Sequence, residues 1–182
     1  MVRCWSARRE SRACCAARGR HHMNLTACVF DGADDARRAA QRIERAGISS
    51  PAECRSWAVV RWDLGGRLPR PDGSMGNQHR SATTAWFWAL LLGMTFGVPA
   101  LGAQLGSASG LEPGTLTAAG IHDSFMNRLR DEVTPGRSAL LVLTDLAGTP
   151  ALQGLIRQPG VPVVAHVHFT PRQEAALLDV LS

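Results

Sequence analysis

The apolar positions of this chain fall into short runs punctuated by Gly, Pro and Asp, with one long uncharged run in the middle. Asn24 to Phe30 (NLTACVF) has the length and composition of a strand and ends at the turn pair Asp31-Gly32. Ala36, Ala39, Ala40 and Ile43 then follow the i, i+3, i+4, i+7 spacing of one apolar helix face, predicting a helix over 33–46. Asp34 and Asp35 in its first turn and Arg42 and Arg45 in its last complement the helix dipole, and Gly47 supplies the stop. Trp57 to Asp63 predicts a second strand. It is followed by the turn Asp63-Leu64-Gly65-Gly66 and a polar, Pro- and Gly-bearing stretch from Pro69 to Arg80 that reads as a linker.

Beyond the long uncharged run, Ile121, Phe125, Leu129 and Val133 recur every four residues, predicting a helix over 123–133 closed by Pro135-Gly136. Ser138 to Thr144 reads as a third strand. A helix starting at Thr149-Pro150 and running to about Arg157 follows, and Val161 to Phe169 is a fourth strand. Thr170-Pro171-Arg172-Gln173 has the spacing of a capping box before a last helix carrying Ala175, Ala176, Leu177, Leu178 and Leu181. The order is β-α-β, β-α-β and a final helix. This predicts an α+β domain over 23–182 with a ferredoxin-like split β-α-β sheet, an extra C-terminal helix and an insertion between the second and third strands.

The insertion is the stretch Ser81 to Leu111, which contains no charged residue. A mainly apolar run of more than about 18 residues is a transmembrane candidate. Within it Ala85, Ala89, Gly93 and Gly97 recur every four residues, and after Pro99 so do Gly102, Gly106 and Gly110. Residues four apart share a helix face, so each half carries a strip on which another backbone can pack closely. Trp86 and Trp88 stand near the entry end, where indole rings favour a membrane interface. A single crossing would put the strands before and after it on opposite sides, so a shared sheet requires a hairpin turning near Pro99. The buried alternative is a hydrophobic hairpin packed inside a soluble protein or a soluble oligomer.

Charge narrows the partners. The net charge is +5. Residues 1–22 hold six arginines and one acid, and the remainder balances, with fourteen arginines and fourteen acids. A nucleic-acid partner needs a basic face on the folded part, so none is expected. Residues 1–22 lack the apolar core of a secretory signal, and they read as a disordered leader or the product of a misplaced start before Met23. The five cysteines imply no disulfide framework.

Candidate chemistry is sparse. His166 and His168 lie two apart in a strand and so share a face, a spacing that can serve a transition metal, though nothing in the sequence places a third ligand beside them. No phosphate-cradling glycine loop follows a strand, and no acid, base and nucleophile cluster is evident. The chain is therefore read as non-enzymatic and without cofactor.

The chain resembles the domain-of-unknown-function 1269 family, bacterial proteins usually labelled as predicted membrane proteins. Carrying residues are Phe30-Asp31, Ala58 to Arg61, Trp88, Gly93, Pro99, Gly102, Gly106, Gly110, Gly120 to Phe125 and Pro135 to Leu140. The leader before Met23 lies outside the family pattern, and Glu112-Pro113 interrupts the glycine-rich run. The resemblance implies a membrane-associated protein of unassigned biochemistry and supplies no catalytic residues. Together with the pattern it leads to the expectation of a self-associating interaction module in the bacterial inner membrane. Lipid and a second copy of the chain would be its partners, and the α+β domain and both termini would be cytoplasmic. The alternative expectation is a soluble, oligomeric, ferredoxin-like domain that binds a small ligand or metal.

Overall fold

The computed structural model describes residues 23–45, 54–76, 82–97, 114–145, 152, 154 and 163–181. The elements are β1 (Met23–Phe30), α1 (Asp35–Arg45), β2 (Cys54–Arg61), β3 (Arg70–Gly76), α2 (Ala82–Phe96), α3 (Gly114–Ala118), α4 (Asp123–Glu132), β4 (Ser138–Asp145), β5 (Val163–His168) and α5 (Pro171–Leu181). The strands form one five-stranded sheet in the order β3-β2-β4-β1-β5, with every neighbouring pair antiparallel. The protein is α+β. Leaving β3 aside, β4 separates the mutually parallel β1 and β2, the order that two interleaved β-α-β units produce. Of the connection between β4 and β5, only Leu152 and Gly154 are among the described residues, and both are helical.

Strand alternation sorts the core onto two faces. Leu25, Ala27, Val29, Ala58, Val60, Ala139, Leu141 and Leu143 share a cluster with side chains of α2, α4 and α5. Cys28, Phe30, Trp57, Val59, Leu140 and Val142 meet Ala36, Ala39, Ala40 and Ile43 of α1, with Leu152, on the other face. With both faces covered, the central strands β1 and β4 are buried almost throughout, which explains why β4 reads as an unbroken apolar run.

Two elements depart from the sequence expectation. Arg70–Gly76, inside the stretch read as a linker, is the edge strand β3, folded back on β2. Its composition (RPDGSMG) has low strand propensity. Pro71 is tolerated because an edge strand leaves one side unpaired, and the register shift between Ala58 and Val59 takes up the irregularity. The turn before it is the one expected: the Gly66 amide donates to the Asp63 carbonyl at 2.9 Å, and the Trp62 indole N–H donates to the Gly66 carbonyl at 2.8 Å.

The second departure is α2, the first half of the run expected in a membrane. It is fifteen residues long, about 22 Å at 1.5 Å per residue, and ends at Gly97, whose φ of +64° suits a residue without Cβ. Among the described residues no helix is long and apolar enough to cross a membrane. Phe87, Trp88, Ala89, Leu90, Leu91 and Leu92 are all buried within the chain itself. Six consecutive buried positions cover the whole circumference of a helix, so α2 lies inside the α+β body, in contact with α4 and α5. The turn expected at Pro99 lies outside the described residues, as do the leader and the start of the helix expected at Thr149-Pro150.

Candidate functional site

The hydrophobic run is where the family resemblance and the sequence pattern converge, so the site is built from α2 outward. Trp88 is fully buried, and its indole N–H donates to Ser56 Oγ of β2 at 2.5 Å. The ring expected at a membrane interface is thus tied to the sheet, with Phe87 against it edge-on at a centroid distance of 5.0 Å. The far end of α2 is held by α4. Arg130 Nε donates to the Thr95 carbonyl at 2.5 Å and its terminal nitrogen to the Met94 carbonyl at 3.4 Å. These are carbonyls that no intrahelical amide can reach, and a cation there also complements the helix dipole. Thr95 Oγ1 turns back to the Leu91 carbonyl at 2.7 Å. Ser56 and Arg130 carry no sequence signal for this role. Each is an ordinary polar residue until the fold brings it to the helix.

The small-residue strip divides accordingly. Ala89 is buried, Gly93 is half-buried and Gly97 is exposed. Ala85 and Trp86 lie in α2, but their side chains are outside the described residues, and Gly102, Gly106 and Gly110 are outside altogether. The structure therefore places Ala89 in the domain core and Gly93 at its edge, and leaves Gly97 outside it. The connection 98–113 leaves from exposed Gly97 and returns at exposed Gly114.

His166 and His168 sit in edge strand β5 opposite Thr26 and Asn24 of β1. His168 is exposed, with Nδ1 2.6 Å from the Asn24 side-chain oxygen; the His166 side chain lies outside the described residues. No group of three or more His, Cys, Asp or Glu placed to hold a metal occurs among the described residues.

The opposite end of the sheet carries a charge network that the sequence does not announce. Arg137 pairs with Asp31 at 2.8 Å and Glu132 at 3.5 Å, and Arg61 with Asp63 at 3.0 Å and Asp34 at 3.6 Å. Arg37 joins Asp34 at 2.9 Å and Asp72 at 3.8 Å. The hydrogen bond that Arg61 donates to Asp63, then the charge of that carboxylate, holds Arg61 firmly in the protonated form. Buried Ser138 donates to the Gly32 carbonyl at 2.5 Å and accepts from the Ala36 amide at 3.1 Å, so β4 satisfies a first-turn amide of α1. Every acid of this network faces an arginine. These pairs brace the β1–α1, β2–β3 and α4–β4 connections against one another.

Cys28 is the cysteine whose side chain is described, and burial pushes its thiol from an ordinary value of 9.0 to about 12. A thiol so raised is inert near neutrality. In a chain whose other cysteines are replaced by serine, Cys28 should react with maleimide only after denaturant is added, at least about 100-fold faster than in the folded state. Rapid labelling of the native chain would contradict its placement. The unfolded state ionises first as pH rises, so the native state loses stability from about pH 9.0 towards 12.

An α+β domain that seats an uncharged helix in its own core is thus defined. The profile of the family described as "Protein of unknown function (DUF1269)" matches residues 82–182, more than half of the chain, and the chain belongs to that family. No curated protein and no solved structure matches it. The match begins at the first residue of α2 and includes Gly120 to Phe125 and Pro135 to Leu140, two of the segments that carry the resemblance. Their roles are structural. Gly120 has a φ of +84°, Ile121 is buried and donates to the Leu116 carbonyl, His122 is the N-cap of α4 and Phe125 is core. Gly136, at φ +89°, donates to the Trp62 carbonyl, Arg137 pairs with Asp31 and Ser138 caps α1. Phe30-Asp31 and Ala58 to Arg61 lie ahead of the match.

Proposed function

We propose that this chain is a non-enzymatic interaction module that associates with a membrane surface and with its own copies on the cytoplasmic face of the bacterial inner membrane. The observation that carries this reading is the division of the hydrophobic run. Its first half is consumed by the domain core as α2, while Gly102, Gly106 and Gly110, at four-residue spacing in a run uncharged as far as Leu111, follow that helix in sequence. A strip of small residues at four-residue spacing is a surface on which another backbone can pack closely.

Substituting Gly106 with leucine tests the self-association. A leucine on a strip used for close approach separates the backbones, so crosslinked oligomers of the full chain should disappear while the far-ultraviolet spectrum stays unchanged. Oligomers that persist undiminished would overturn this part of the proposal. Fractionation of cells tests the rest: recovery of the chain wholly in the soluble fraction, with none on membranes at physiological salt, contradicts membrane association.

A further inference from the structure

We propose that the hairpin tip between β2 and β3 is a contact for an anionic lipid surface, with Leu64 and Leu68 entering the interfacial layer and Arg67 and Arg70 meeting the headgroups. The inference rests on the membrane association proposed above and locates it at a place the hydrophobic run does not include.

Leu64 and Leu68 are the exposed large hydrophobic side chains among the described residues, at 85% and 46% of full exposure. Both stand in one loop, Asp63 to Pro69, beside exposed Arg67 and Arg70. A chain that buries every other described large apolar side chain at least partly, yet leaves these two out together, marks that loop as a contact. Their exposure is built in. The Asp63–Gly66 turn is closed by its own hydrogen bond and by the Trp62 indole. Trp62 is anchored in turn by its amide to the Arg137 carbonyl at 2.9 Å and by its carbonyl to the Gly136 amide at 2.7 Å. At the exit Pro69 is buried. The loop is held from both ends with its leucines outward.

Charge selects the partner. Arg67 and Arg70 make no ion pair among the described residues, whereas Asp63 and Asp72, the acids flanking the loop, are engaged by Arg61 and Arg37 of the body. The tip therefore presents two leucines and two arginines that make no ion pair among the described residues. Apolar side chains at the acyl boundary with basic ones at the headgroups is the chemistry of binding to anionic lipid.

The test is co-sedimentation of the full chain, near physiological ionic strength, with phosphatidylcholine vesicles containing or lacking phosphatidylserine. The wild type should bind the phosphatidylserine vesicles preferentially. A Leu64→Ser, Leu68→Ser variant and an Arg67→Gln, Arg70→Gln variant should each lose about tenfold or more of that binding, with unchanged urea midpoints showing that both remain folded. Wild-type binding that both variants retain in full overturns the tip as the contact while leaving membrane association standing. A wild type that binds neither vesicle overturns both.

Discussion

Replacing Trp88 with alanine should lower the unfolding free energy of the domain by about 3–5 kcal/mol, read as a shift of the urea midpoint at constant slope. The side chain is fully buried, lies against Phe87 and donates to Ser56 across the interface between α2 and the sheet. Its removal empties a large volume in a close-packed core and leaves the Ser56 hydroxyl without that donor. Trp88→Phe should cost less, and adding Ser56→Ala to it should be less than additive, because the two substitutions delete the same hydrogen bond. A tryptophan at a membrane interface predicts something else: little change in water and a loss confined to lipid binding.

Substituting Ser138 with alanine should cost about 1–3 kcal/mol, a large effect for the loss of a single oxygen atom. Ser138 Oγ, itself buried, bridges the half-buried Gly32 carbonyl and the Ala36 amide, 102 residues from Ala36 along the chain. Alanine leaves the Ala36 amide in the first turn of α1 without its acceptor, while the Gly32 carbonyl keeps only the longer bond from the Asp35 amide at 3.3 Å. Equilibrium denaturation of the variant measures the cost. A change within about 0.5 kcal/mol would mean that the bridge does not hold the β1–α1 turn.

The two effects also show where sequence pattern is sufficient. Period-four apolar spacing located α1 and α4, because each buries a single stripe: Ala36, Ala39, Ala40 and Ile43 in one, Phe125, Met126 and Leu129 in the other. The capping box of α5 was legible because it is local. Thr170 N donates to Gln173 Oε1 at 2.8 Å, and Gln173 N donates to Thr170 Oγ1 at 3.4 Å. β3 was not legible, since an edge strand can carry Arg70, Pro71, Asp72 and Gly73 when pairing on one side alone holds it.

The surroundings of α2 were not legible for a different reason. A helix buried around its whole circumference and a helix in lipid have the same composition, because both exclude charge and show no polar face. What separates them is the set of partners. Ser56 beneath Trp88 and Arg130 at the last carbonyls come from β2 and α4, and no spacing rule connects them to α2. Ser138 is hidden in the same way: its capping role is long-range, whereas the capping rules that can be read from sequence span three residues.

Hydrogen exchange of the full chain in water without detergent, followed by mass spectrometry, tests the placement of α2 most directly. If α2 is a core helix, the amides of Phe87 to Leu92 exchange as slowly as those of β1 and β4, and they open together with them as denaturant is added. Rapid exchange across Phe87 to Leu92 while β1 and β4 stay protected, with protection of α2 gained only when lipid or detergent is present, would contradict the account.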